Sequence, residues 1–261
     1  MAKDVKYLPR NFNYPKFHVN DVLYTNGNGN NKIFTGNEIL ETAYYIRDIT
    51  NYNTLVTTIL PSLENFTDIN IVIPDDKGMN VLLEYIELLN ITNINFIKTN
   101  NIKEIKEIKK LPIRNIRGKK QFLNLRWLLK YRGLVKTPFK FDKIVVHHAT
   151  GNVLPDEILI FLKSQGFFIC VLEDTPIQDQ INLFAGAKQI VATYGASLVN
   201  TIYCKNGCKV LEMTLNGDNY YERYINNITN QLAPKTKLIY DQIKDTDLQC
   251  FIQKYNQYLV T

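Results

Sequence analysis

The sequence predicts an α/β protein made of two small parallel-sheet arrays, on three observations. Short β-branched apolar runs alternate with amphipathic segments long enough to cross between parallel strands. The alternation occurs twice, either side of a break at Gly133 and Thr137-Pro138. In the second series the apolar runs stop at polar or glycine residues, as strands do where an open parallel sheet takes its ligands.

Residues 1–36 are rich in Asn, Tyr, Pro and Gly, lack a sustained period, and read as a lead-in along the surface. The Gly-x-Gly within Asn26–Lys32 follows no clear strand and reads as a turn. Regular patterning then predicts a strand over Thr42–Ile49, a helix over Thr54–Leu63, a strand over Ile69–Ile73, a helix over Met79–Leu89 and a strand over Ile94–Ile97. In Lys103–Lys110 the spacing of Ile105 and Ile108 predicts a solvated helix rim. Gln121–Tyr131 is an amphipathic helix carrying Leu125, Leu128 and the only tryptophan, Trp127, and Gly133 ends it. Strands follow at Ile144–His147, Phe167–Leu172, Gln189–Thr193 and Lys209–Glu212, with helices between, then a strand at Lys237–Tyr240 and a helix at Thr246–Tyr258. The expected domains are 1–136 and 137–261.

The chain has 261 residues, 45% hydrophobic and 21% charged, an ordinary globular balance able to bury a core. No uncharged apolar run reaches the roughly eighteen residues of a membrane span, and the polar start does not resemble a signal peptide, so a cytoplasmic or otherwise soluble intracellular chain is expected. Cys170, Cys204, Cys208 and Cys250 read as buried free thiols; Cys204 and Cys208 are spaced as a metal pair, but no second pair accompanies them, and no metal site is expected. Sequons at Asn65, Asn90 and Asn227 fit an Asn-rich composition. The net charge of +6 hides an asymmetry: residues 103–143 carry 14 Lys/Arg against 3 Asp/Glu, whereas both flanks are mildly acidic. Such a block can attract nucleic acid, an anionic surface or a phosphorylated small molecule, and nucleic acid is not the partner expected here.

The strand ends of the second array supply the candidate chemistry: His147-His148-Ala149-Thr150-Gly151, then Glu173-Asp174, then Thr193-Tyr194-Gly195-Ala196-Ser197, then Glu212. Gly195 permits close backbone approach, and the amides of Ala196 and Ser197, opening a helix, suit an anion such as a diphosphate. Glu173 or Glu212 could accept hydrogen bonds from ribose hydroxyls. Side chains at successive strand positions point to opposite faces, which disfavours a metal shared by His147 and His148.

From Glu173 to Glu212 the chain resembles glycosyltransferase family 61. The resemblance rests on Glu173, Gln180, Ala187, Gly195-Ala196-Ser197-Leu198-Val199-Asn200 and Glu212, in that order, with a fainter continuation upstream to Lys143. It implies a GT-B-like fold of two small Rossmann-like domains facing a cleft. It implies a sugar nucleotide, a UDP-sugar first, bound mainly by the C-terminal domain through His147, His148, Thr150, Gly151, Glu173, Gln180, Tyr194, Gly195, Ala196, Ser197, Asn200 and Glu212. It also implies inverting transfer to a glycan or glycoprotein, with neither metal nor other cofactor.

Tyr194 stands where the family has His, and His148 near where it has Arg. On the acceptor side, marked by Asn53 and Thr54, the family's His and acidic residue correspond to Thr54 and Thr58, and neither hydroxyl is a base at neutral pH. Asp48 is therefore the candidate base, with Asp75 or Asp76 in reserve. His147, His148, the amides after Gly195, and Lys143 or Arg132 are candidates to stabilise the leaving diphosphate. The alternative is a catalytically degenerate protein that binds sugar nucleotides or glycans.

Overall fold

The structure, a computed structural model, describes residues 4–7, 17–19, 22–25, 37–46, 52, 55–73, 79–98, 101–111, 125–148, 153–193, 195–213, 239–243 and 247–260. The chain divides into two compact units, Met1–Phe122 and Leu123–Thr261.

The first unit holds two sheets. Within the residues expected to be an irregular lead-in lie β1 (Asp4–Tyr7), β2 (Phe17–Val19) and β3 (Val22–Thr25), ordered β1-β3-β2. Strands of three or four residues are too short to show a period of two, which is why the pattern did not reveal them. The larger sheet is parallel, ordered β6-β5-β4-β7, from β4 (Glu38–Tyr45), β5 (Ile69–Ile73), β6 (Ile94–Lys98) and β7 (Ile102–Lys110). Helix α2 (Asn80–Leu88) joins β5 to β6, and α1 (Leu60–Leu63) follows a π-helical turn, Leu55–Ile59.

β7 corrects the helix expected over Lys103–Lys110. It pairs along β4, where Ile102 faces Glu38 and Glu104 faces Ile39, so Lys103 is an extra residue without a partner. Such a bulge shifts the side-chain alternation by one, so Ile102 and Ile105, three apart, share a face and are both fully buried. The same spacing of three serves a helical stripe, so the isoleucines alone could not tell the two apart. Lys106 pairs with Glu41, and Glu107 accepts from Lys109 at 2.8 Å and from Thr42 at 3.3 Å on the exposed side. That contact with Lys109 holds the Glu107 carboxyl below its ordinary range.

The second unit is one parallel sheet ordered β12-β11-β10-β8-β9: β8 (Lys143–His147), β9 (Phe168–Val171), β10 (Gln189–Thr193), β11 (Lys209–Met213) and β12 (Ile239–Ile243). After β8 the chain steps one way through α4 (Asp156–Ser164) to β9, then back past β8 through α5 (Ile177–Gly186) to β10. Right-handed crossovers in opposite directions place their helices on opposite faces. One face buries Val145, Val191 and Leu211 under Ile158 and Leu162 of α4 and Phe251 and Tyr255 of α6 (Leu248–Tyr255). Asp247 caps α6 by accepting from the amides of Gln249 and Cys250 at 2.9 and 3.0 Å.

The alternate residues Ile144, Val146, Ile190 and Ala192 are buried on the other face. In that unit α5 touches a 3-10 helix, Ala196–Tyr203, and so does α3 (Leu125–Arg132). The boundary expected at 136/137 and the division at 122/123 differ chiefly by α3. The segment after α3 is stitched to α5. Asn182 accepts from the amides of Lys136 (3.2 Å) and Phe139 (3.0 Å), Gln178 donates to Leu134, and a Cβ on Gly186 would lie 2.0 Å from the Phe139 carbonyl oxygen.

Cys170, Cys204 and Cys208 are buried as expected, whereas Cys250 on the first turn of α6 is exposed. Burial pushes the Cys170 thiol up to about 12 and that of Cys204 well above its ordinary value.

Gly186→Ala is expected to destabilise the second unit by about 1–3 kcal/mol, because backbone must move to admit the methyl group, and a thermal melt reads this as a drop of several degrees. A thiol reagent at pH 8 is expected to label Cys250 and spare the other cysteines until unfolding. A free thiol ionises near pH 8.5 whereas Cys170 holds its proton to about 12. Its burial therefore contributes stability that is complete below pH 8.5 and is lost as the pH rises towards 12, checked by equilibrium unfolding across that range.

Candidate functional site

The strand order reverses at β8, so the carboxyl ends of β8 and β10 flank the switch point at which open α/β sheets bind ligands. β8 ends at His147, and His148 follows. On one side β9 runs into the turn Leu172–Asp174, which carries Glu173; on the other, β10 ends at Thr193 and Gly195 leads into the 3-10 helix. His148 bridges the two: its Nδ1 lies 2.8 Å from Glu173 Oε1 and its Nε2 3.3 Å from Ser197 Oγ.

An ionised carboxylate only accepts, so Nδ1 carries a proton and donates it to Glu173. In the neutral ring, Nε2 then accepts from the Ser197 hydroxyl. The room for this comes from Gly195, where a Cβ would sit 2.7 Å from His148 Nε2. Gly195 is extended, with φ 175°, so it is needed for space rather than for its backbone angles. The His148 side chain is 16% exposed and that of Glu173 45%, so solvent reaches this group of side chains. His147 is one residue back, and its Nδ1 is buried with no hydrogen-bond partner among the described residues.

Two residues expected to meet the donor, Gln180 and Asn200, are buried and bonded to each other. Gln180 is buried, and its Nε2 donates to the carbonyls of Leu172 (3.0 Å) and Thr175 (2.8 Å) while its Oε1 accepts from Asn200 Nδ2 (2.9 Å). Asn200 is wholly buried, three residues after Ser197 on the 3-10 helix. This amide pair ties the turn that carries Glu173 to the helix that carries Ser197. Thr175 closes the turn by donating to Val171 at 2.8 Å. The sequence signal for the clamp is that Gln180 and Asn200 are both among the residues that carry the resemblance noted above.

Ala196 is exposed at the start of the 3-10 helix, and Glu212 is 2% exposed, one residue short of the end of β11. Arg132 donates to the carbonyls of Ile202 (3.2 Å) and Cys204 (3.1 Å), so it caps the far end of the 3-10 helix. Burial lowers its pKa. Lys143 opens β8, at the opposite sheet edge from His147, and donates to Gln165 at 3.2 Å. Neither of these candidate cations is at the switch point. Thr58 lies in the π-helical turn and its carbonyl accepts from Ser62 at 2.6 Å. Asp48, Asn53, Thr54, Asp75, Asp76, Thr150, Gly151 and Tyr194 lie outside the described residues.

An imidazole, a hydroxyl and a glycine-led helix start at a switch point form the kind of site at which nucleotide-binding α/β domains hold an anion. Residues 155–211 match the model of the family described as Glycosyltransferase 61. That segment runs from the start of α4 into β11 and contains Glu173, the Gln180–Asn200 clamp and Gly195–Ser197. Over that segment the chain is similar to glycosyltransferase family 61, and the match supports a glycosyltransferase. The two parallel-sheet α/β units agree with the GT-B-like, Rossmann-like class. A search of curated proteins finds no match. No helix among the described residues is long and apolar enough to cross a membrane.

Gly195→Ala is expected to displace the His148 ring from Glu173 and Ser197 while costing under about 1 kcal/mol, since a side chain rather than backbone gives way. Proton NMR of the hydrogen-bonded imidazole N–H, set beside a thermal melt, checks both halves. Gln180→Leu is expected to destabilise by about 1–3 kcal/mol in chemical denaturation, because it removes three side-chain hydrogen bonds at once, two donated to the Leu172 and Thr175 carbonyls and one accepted from Asn200.

Proposed function

We propose that this chain is an inverting, metal-independent glycosyltransferase that moves a sugar from a nucleoside diphosphate, UDP first among the donors, to a hydroxyl of a glycan or protein. The observation that carries this reading is the His148–Glu173–Ser197 group at the switch point, beside and within the segment that matches the family. The diphosphate would lie against His148, the Ser197 hydroxyl and the amides that follow Gly195, with His147, Thr150, Gly151 and Tyr194 around it. Glu212 is the proposed partner of the ribose. Asn53 and Thr54 are assigned to the acceptor side.

The reaction asks little else of the protein. A base, for which Asp48 is the candidate, takes the proton of the acceptor hydroxyl. The freed oxygen attacks the anomeric carbon from the face opposite the diphosphate, forming one C–O bond as the bond to phosphate breaks. The bonding electron pair leaves with the nucleoside diphosphate, whose new charge the donor-side hydrogen-bond donors stabilise. Attack from the opposite face inverts the anomeric centre.

A second reading, a degenerate protein that binds without transferring, is favoured by Thr54 and Thr58, whose hydroxyls are not bases at neutral pH. Calorimetric titration with UDP, GDP, CMP and their sugar conjugates in EDTA, followed by transfer assays over an acceptor panel, separates the two. The expected result is binding of one diphosphate class, weakened roughly 10- to 100-fold by His148→Ala, with turnover lost in Asp48→Asn while binding persists. Binding without transfer or hydrolysis selects the degenerate protein, and no binding of any nucleotide overturns both.

A further inference from the structure

We infer that the donor's diphosphate is bound together with a proton, which converts His148 from a neutral ring to an imidazolium held between Glu173 and the phosphate oxygens. The inference rests on the reading of the switch point as a nucleoside diphosphate site. Its basis is the hydrogen-bond polarity of three side chains. Nδ1 donates to Glu173, so in the neutral ring the lone pair is on Nε2, where it accepts the Ser197 proton at 3.3 Å. A diphosphate at pH 8 offers only acceptor oxygens. Nε2 can face such a ligand only by gaining a proton, and Ser197 then turns its own proton to the ligand.

The local charge points the same way. With a neutral ring, His148 and Glu173 together carry one negative charge, which repels a diphosphate; one proton brings the pair to neutrality and directs a charged donor at the ligand. Among the described residues, the groups that face the ring are these. Glu173 comes from the turn after β9, Ser197 and the Gly195 backbone come from the 3-10 helix side, and His147 is its neighbour on β8. Arg132 and Lys143 are bonded elsewhere, to Ile202, Cys204 and Gln165. In this reading the charge that other anion sites take from a fixed guanidinium comes here from solvent. By linkage, a ligand that binds the protonated form binds more tightly as the pH falls, and the dependence flattens once the ring is already charged.

The test is calorimetric titration of the full chain with UDP in EDTA at pH 8, in several buffers of different ionisation enthalpy. An ordinary histidine is mostly neutral at that pH, so the buffer dependence should report on the order of one proton taken up per UDP bound. Uptake should vanish in His148→Gln, shrink in Glu173→Gln and persist in Ser197→Ala, each shown to be folded by its thermal melt. Equal heats in all buffers, or undiminished uptake in His148→Gln, overturn the inference while leaving the nucleotide site standing. No UDP binding by the wild-type chain overturns the site and the inference together.

Discussion

The reversal of strand order at β8 is the constraint on which the second unit depends. Because crossovers between parallel strands are right-handed, the step from β8 to β9 and the return to β10 must place α4 and α5 on opposite faces. At such a reversal the carboxyl ends of the two flanking strands, β8 and β10, border the place where open α/β sheets take ligands. Every side chain that gives the site its chemistry hangs from that edge: His148 after β8, Glu173 after the outer neighbour β9, and Ser197 after β10. The apolar runs that build the strands thus also fix where polar residues can gather.

Behind that edge the site is held by neutral groups. Gln180 and Asn200 are buried, and their amides satisfy one another and two turn carbonyls, so no buried charge is needed to fix the turn and the helix relative to each other. In front, Glu173 and His148 keep contact with solvent and so can exchange protons. The division is physically sensible, because a buried ion pair carries a desolvation cost that a fully bonded amide pair largely avoids. Gly195 adds a steric condition, since the imidazole reaches Ser197 only over a residue that has no side chain.

Much of this architecture could be read from the residues. Six of the strands in the two parallel sheets, beginning with Ile69–Ile73, lie within one residue at either end of where short β-branched runs placed them, because each run is apolar and bounded by turn residues. Two features escaped for physical reasons. In the Ile102–Lys110 strand Ile102 and Ile105 are three apart, a helical spacing that the bulge at Lys103 converts into a shared strand face. The strands of the first 25 residues are too short to show alternation. At the site, the residue types at the strand ends were legible but their partners were not. Nothing in sequence spacing says that His148 meets Glu173 and Ser197, which are 25 and 49 positions away. Nor does it say that Arg132 is taken up by helix carbonyls while Gln180 faces inward.

The Gln180–Asn200 pair also bears on how such a protein changes over evolutionary time. Complementary amides constrain each other: altering either one removes the bond that joins the turn to the helix, so the two positions are expected to change together rather than singly. A signature of this sort marks inheritance of a scaffold, and lineages that share it are free to diverge in what the scaffold holds.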